Sequence, residues 1–193
     1  MYMFAILSLS QFLKEEGAMS KAMLWLQFHE KRLFRWVNQR LQHKILDYVF
    51  NTITHLGGAT MTILASLGLT LFGQDGWRMA GVHCCVALAL SHIPVAIIKR
   101  AYPRLRPYLV LPDTNTCKKP LTDPSFPSGH TTAIFSLAAP ISYAAPWLGT
   151  IFIPLAFFVS LSRIYLGLHY PSDCLAGFLI AITAVLVTAP IFG

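Results

Sequence analysis

The chain reads as an all-α membrane protein, a polytopic bundle of about five to six transmembrane helices with an amphipathic helix near its N-terminus. Two observations lead there. Of its 193 residues 55% are hydrophobic and only 12% charged, against about 25% charge in an ordinary soluble domain, and the mean hydropathy is +0.56. The few charges are also gathered together, leaving runs free of Asp, Glu, Lys and Arg at 48–74, 79–98, 124–162 and 174–193.

The elements follow from those runs. Residues 1–13 are apolar but too short to cross ~30 Å of hydrocarbon alone, and with no basic residue ahead of them and no small-residue cleavage site they make a poor signal peptide. Between about 22 and 50, Leu26, Leu33, Phe34, Val37, Leu41, Ile45 and Val49 recur every three or four residues opposite Lys31, Arg35, Gln39, Gln42 and Lys44. That spacing predicts an amphipathic helix, lying in the headgroup layer with Trp25 and Trp36 or packed over the bundle. Crossings are expected near 56–73, 79–98 and 174–193, and the long run divides into two, near 130–145 and 148–168, at Pro146, Trp147 and Gly149. The chain therefore divides into an N-terminal segment, 1–50, and a membrane-embedded body, 51–193.

Fifteen Lys and Arg against eight Asp and Glu leave a charge of +7. The positive residues fall between apolar runs and not along a soluble face, so anionic lipid or an anionic substrate is the expected partner and nucleic acid is not. Cys84, Cys85, Cys117 and Cys174 show no zinc-ligand spacing.

Three polar islands carry the chemistry. Lys99, Arg100, Arg104 and Arg106 follow one span; alone they read as a juxtamembrane basic patch. Phe126-Pro-Ser-Gly-His130 opens an apolar helix, where free N–H groups and the positive dipole end favour an anion. Ser162 to Asp173 holds Arg163 at the end of a charge-free span, where a guanidinium needs an anion or water. Arg163 and His169 are six apart, so the helix is expected to unwind near Gly167. If Pro171 opens the last helix, Asp173 in its first turn reaches one nitrogen of His169 and leaves the other as a nucleophile. Two crossings lie between the second and third islands, which brings all three to one membrane face. Together they amount to a phosphate site with its own nucleophile and acid. With one carboxylate already engaged, little in these motifs could hold a metal, and no cofactor is expected.

The motifs Lys99 to Pro107, Pro127 to His130 and Ser162 to Asp173 resemble those of the type 2 phosphatidic acid phosphatase family, Lys-x6-Arg-Pro, Pro-Ser-Gly-His and Ser-Arg-x5-His-x3-Asp, with no departure at a defining position. Thr-His-Leu-Gly at 54–57 also resembles the start of a family span. The resemblance implies a metal-independent lipid phosphatase working through a phosphohistidine on a substrate such as undecaprenyl diphosphate, phosphatidylglycerol phosphate or phosphatidic acid. Lys99, Arg106 and Arg163 would clamp the phosphate, with Ser128 and the Gly129 N–H completing the pocket. His169 would attack phosphorus, Asp173 would orient it, and His130 would serve as acid and then base. Arg100 and Arg104 would touch the headgroup or a second phosphate, and the 108–126 loop holds no recognisable code.

Two other readings compete. The vanadium haloperoxidases resemble these motifs, but five spans without soluble bulk fit them badly. A nonenzymatic lipid binder or transporter would have no need of an oriented nucleophile. Sidedness divides the arguments: fourteen of fifteen basic residues fall on the motif face and only Arg78 opposite, which by the positive-inside rule places the site in the cytoplasm, whereas the resemblance implies an outward-facing site in a bacterial cell membrane. The outward orientation is the expectation adopted, with Cys117, free or bonded to Cys174, on the motif face. Nothing in the sequence fixes an oligomeric state.

Overall fold

The computed structural model describes residues 21, 23–116 and 120–192; the expectations for residues 1–13 and for Cys117 lie outside them. Among the described residues the chain is helical with no strand: α1 (23–35), α2 (Lys44–Ile53), α3 (Ala59–Phe72), α4 (Gly76–Ala101), the short α5 (Pro107–Val110), α6 (Gly129–Ala144), α7 (Pro146–Tyr165) and α8 (Pro171–Phe192). Helices α4, α7 and α8 are long and apolar enough to cross a membrane, and α2 with α3, bent by 53°, could form a fourth crossing. The expected spans at 79–98, 148–168 and 174–193 fall on α4, α7 and α8. Helix α6, at 16 residues, is about 24 Å long and occupies the centre, packed against α3, α4, α7 and α8.

The packing is that of a protein dissolved in lipid. Leu64, Phe72, Trp147, Phe157 and Val187 face outward, where acyl chains cover them at no cost. Small polar residues lie between the helices instead, letting backbones approach and hydrogen-bond across the seam. Ser91 Oγ on α4 meets Ser136 Oγ on α6 at 3.0 Å, Thr132 on α6 donates to the Gly177 carbonyl on α8 at 3.2 Å, and His83 on α4 meets Thr188 Oγ1 on α8 at 2.9 Å. Phe135, Phe157 and Phe178 pack edge to face or tilted where α6, α7 and α8 converge.

The amphipathic stretch at 22–50 is not one helix. Helix α1 passes into a π-helical turn, Trp36–Arg40, and the chain breaks before α2, where His43 Nδ1 accepts the Ile45 N–H. The apolar stripe divides accordingly. Phe34, Val37 and Phe50 pack against Leu111, Tyr165, Leu168 and Tyr170 over the motif end of the bundle, while Trp25, Leu26, Leu33 and Ile45 stay exposed. Buried Asn38 fastens the break, donating to the Tyr165 and Asn115 carbonyls at 2.7 and 2.8 Å and accepting the Asn115 N–H at 3.0 Å.

Candidate active site

All eight residues singled out for chemistry lie at one end of the bundle. Lys99 is in the last turn of α4, Arg106 precedes α5, Ser128 caps α6 with Gly129 and His130 in its first turn, Arg163 is in the last turn of α7, His169 is in the α7–α8 connection and Asp173 is in the first turn of α8.

Local chain geometry explains the convergence. Helix α7 ends at Tyr165, and Gly167 takes φ 70°, left-handed backbone that suits glycine; a Cβ there would also stand 2.5 Å from the Asn115 carbonyl. That turn folds the Leu168 and His169 N–H groups back onto the Arg163 carbonyl at 3.0 and 3.2 Å. Pro171 then starts α8 and brings Asp173 under His169. Helix α6 is tied to the same spot, because Ser128 N–H donates to the Asp173 carbonyl at 2.9 Å while Ser128 Oγ accepts from Thr131 as an N-cap.

His169 is buried, and Arg106 Nη1 lies 3.1 Å from its Nε2. A guanidinium can only donate, so Nε2 is the acceptor and the ring proton sits on Nδ1, facing Asp173. Nδ1 is 3.5 Å from Asp173 Oδ2, longer than a charge-assisted hydrogen bond, as catalytic contacts often are before substrate tightens them. Burial, reinforced by the charges of Arg163 and Arg106 and opposed by Asp173, lowers the His169 pKa to about 4. The imidazole is therefore neutral at neutral pH with its Nε2 lone pair toward the cations. His130 is half-buried, with the Arg163 and Arg106 guanidiniums and the His169 imidazole as neighbours. The 3-10 turn Thr54–Gly57 packs beside it, a Cβ on Gly57 standing 2.9 Å from the His130 carbonyl.

The 108–126 loop is not chemically silent. The Asp123 carboxylate accepts from Lys99 Nζ and from Arg106 Nη2, the latter at 2.7 Å, and its carbonyl accepts from Arg106 Nε at 2.7 Å. Nε and Nη2 share one edge of the guanidinium, so Asp123 occupies that edge, while Nη1 donates to the Leu168 carbonyl at 2.8 Å and to His169 Nε2 at 3.1 Å. Burial opposes ionisation of Asp123, but the Lys99 hydrogen bond and the charges of Arg106 and Lys99 outweigh it and bring the pKa down to about 2. Arg104, expected to touch the headgroup or a second phosphate, turns inward: Nη1 donates to Asp173 Oδ1 at 2.8 Å, Nη2 donates to Glu30 at 2.7 Å, and the guanidinium stacks 4.0 Å from the Tyr170 ring. A carboxylate buried as Asp173 is needs a paired cation, because an uncompensated buried charge is strongly destabilising. Arg100 is exposed. Arg163 Nη1 donates to Thr54 Oγ1 at 2.7 Å. Sequence reasoning missed Glu30, Asp123 and Thr54; the signal available was that clustered cations at a membrane face need internal acceptors. Among the described residues no group of three His, Cys, Asp or Glu side chains is placed to hold a metal ion.

The sequence pattern of the PAP2 superfamily matches residues 80–193. The chain belongs to that family. It is 30% identical over 149 residues to an undecaprenyl-diphosphatase of Sulfolobus acidocaldarius, covering 77% of this chain and 71% of that one, and 33% identical over 121 residues to the putative undecaprenyl-diphosphatase YbjG of Escherichia coli, covering 62% and 61%. Among solved structures, LpxE of Aquifex aeolicus superposes with a TM-score of 0.73 at 29% identity over 82% of this chain and 93% of that one. A phosphatidylglycerolphosphate phosphatase of Bacillus subtilis shares the fold, with a TM-score of 0.68 at 21% identity over 86% and 85%. This PAP2 chain is an integral membrane protein, and its three motifs, Lys99 to Pro107, Pro127 to His130 and Ser162 to Asp173, all lie within the matched residues 80–193.

Proposed function

We propose that this membrane phosphatase of the PAP2 superfamily hydrolyses a lipid phosphate or diphosphate through a phosphohistidine on His169. The observation that carries the proposal is the tautomer. With Nδ1–H toward Asp173 and Nε2 held by Arg106, the lone pair faces the cations that would draw in a phosphoryl group. Nε2 attacks phosphorus and the bond to the leaving oxygen breaks; for a diphosphate the leaving group is the lipid monophosphate. Arg106, Lys99 and Arg163 hold the nonbridging oxygens, and the N–H groups opening α6 meet the charge that grows in the transition state. Asp173 stabilises the positive phosphoimidazole. His130 gives its proton to the leaving oxygen, then takes one from the water that attacks phosphorus, and the N–P bond breaks to restore neutral His169.

The relatives named as undecaprenyl-diphosphatases favour an isoprenyl diphosphate over a phospholipid monoester. A cleft of about 470 Å³ between α3 and α4, lined by Ile63, Leu67, Leu88 and Ala89, offers an apolar chain a path along the membrane side. The site faces outward in a bacterial cell membrane, where such substrates accumulate. Release of phosphate from undecaprenyl diphosphate, phosphatidylglycerol phosphate and phosphatidic acid, ranked by kcat/KM in detergent, tests the substrate. Rapid-quench trapping of acid-labile, base-stable phosphate tests the covalent step, which fails if His169→Ala still turns over. Labelling of Cys117 in intact cells by a membrane-impermeant maleimide after reduction tests the orientation; labelling only after permeabilisation reverses it.

A further inference from the structure

We propose that Glu30 on α1, acting through Arg104, is a positioning residue for Asp173, so that a helix at the membrane surface helps set the carboxylate behind the nucleophile. The inference rests on His169 being that nucleophile. Each oxygen of Asp173 has a partner besides His169: Oδ2, the oxygen that faces Nδ1, also accepts the Tyr170 N–H at 2.8 Å, and Oδ1 accepts Arg104 Nη1 at 2.8 Å. Arg104 is thus the one side chain besides His169 paired with this fully buried carboxylate among the described residues. Its other arm belongs to Glu30, through Nη2 at 2.7 Å. Ser172 closes the ring, its Oγ accepting from Arg104 Nη1 at 2.7 Å and donating to Glu30 Oε1, which also takes the Ser172 N–H at 3.1 Å.

This geometry divides one cation between two carboxylates. A guanidinium alone beside Asp173 would turn its full fork onto that carboxylate and pull it from an imidazole already 3.5 Å away. Glu30 holds the second arm, offsets the charge, and sits on the first turn of α8, where the helix dipole favours an anion. Glu30 lies outside residues 80–193, which the family pattern matches, on a helix whose Met23, Trp25, Leu26 and Phe28 point outward. The seating of α1 is thereby joined to the step in which imidazolium charge develops.

The test is steady-state hydrolysis by purified full-length protein, on whichever of undecaprenyl diphosphate and phosphatidic acid the wild type turns over faster. Glu30→Gln keeps the shape and removes the charge; kcat is expected to fall about tenfold with KM within about twofold. Arg104→Met should fall at least as far, and the double variant no further than Arg104→Met, since the pair acts as one unit. Arg32→Ala, on the exposed side of the same helix, keeps wild-type kcat and controls for damage to α1. Wild-type kcat in Glu30→Gln, a loss confined to KM, or multiplying losses in the double variant overturns the role. Should Glu30→Gln not fold, Ser172→Ala carries the same test, with kcat about threefold lower expected and wild-type kcat overturning it. His169→Ala is assayed alongside: turnover there overturns the reading of the site itself, whereas an inactive His169→Ala beside an unaffected Glu30→Gln overturns only the positioning role.

Discussion

Adding one methyl group at Gly177, about one helical turn beyond Asp173 on α8, should impair the enzyme. Gly177 on α8 lies against the start of α6, and a Cβ built there stands 2.6 Å from the Ser128 carbonyl oxygen and 3.0 Å from Thr132 Oγ1. Ordinary contact begins at 3.4 Å, so the obstruction is 0.8 Å, and the atom in the way is backbone that cannot swing aside. Helices α6 and α8 must part by about that much, costing about 1–3 kcal/mol as overpacking does. They part at the crossing where Ser128 N–H donates to the Asp173 carbonyl, the link that sets the α6 N-terminus and His130 against His169. Misplacement by about 1 Å between reacting groups costs on the order of a hundredfold. Gly177→Ala should therefore remain folded in detergent, with a modestly lower Tm, and lose about tenfold to a hundredfold in kcat/KM for phosphate release. Wild-type kcat/KM in a folded variant would refute the claim that the α6–α8 contact sets the catalytic geometry.

Replacing His169 with Ala should abolish turnover, and His130→Ala or Asp173→Asn should each cost about two orders of magnitude or more in kcat at unchanged expression. Hydrolysis should persist in EDTA and be inhibited by vanadate, whose trigonal-bipyramidal form resembles the transition state; a strict Mg²⁺ requirement would count against the clamp of Lys99, Arg106 and Arg163. Because burial lowers the His169 pKa to about 4, the nucleophile stays neutral on acidification, and kcat/KM should keep its His169-dependent limb near pH 4 and not near 6.5. Between those values the unfolded chain binds a proton that the native one does not, so stability should decline as pH falls through that window. Asp123, with a folded pKa of about 2 against 3.8, contributes stability that is present above pH 4 and lost as pH falls toward 2. The shift corresponds to about 2.5 kcal/mol, discounted to about 1 for a half-exposed carboxylate, and the Tm gap between wild type and Asp123→Asn should narrow from pH 7 to pH 3.

The apolar helices were legible because charge-free length is what a bilayer demands, and the breaks at Pro146, Gly167 and Pro171 were legible because proline and glycine act on the chain locally. The meeting of Lys99, Arg106, Ser128, Gly129, His130, Arg163, His169 and Asp173 at one end followed from counting crossings. What the sequence could not show was which acceptor each cation finds. Asp123 lies 24 residues from Lys99 and Glu30 lies 74 from Arg104, separations over which no periodicity carries information. The two carboxylates that Arg104 joins were hidden for that reason, since Asp173 lies 69 residues away and Glu30 stands on a helix outside the three motifs. The stretch at 22–50 has an unbroken apolar repeat, yet Asn38 interrupts it by binding carbonyls of two other segments, a tertiary event that local pattern does not encode.

The length of α6 has one more consequence. At about 24 Å against ~30 Å of hydrocarbon, a helix wrapped on its sides by α3, α4, α7 and α8 has no lipid of its own to pinch, so the mismatch appears as a dimple in the protein and not as a thinned bilayer. With the shortfall at its N-terminal end, the tip that carries Gly129 and His130 would lie beneath the plane of the surrounding headgroups. A lipid would then have to sink by several ångströms, tail still in hydrocarbon, for its phosphorus to meet His169. Bilayer thickness becomes a variable of the reaction: vesicles of shorter acyl chains should bring the headgroup plane down toward the catalytic end, and turnover should rise as the membrane thins.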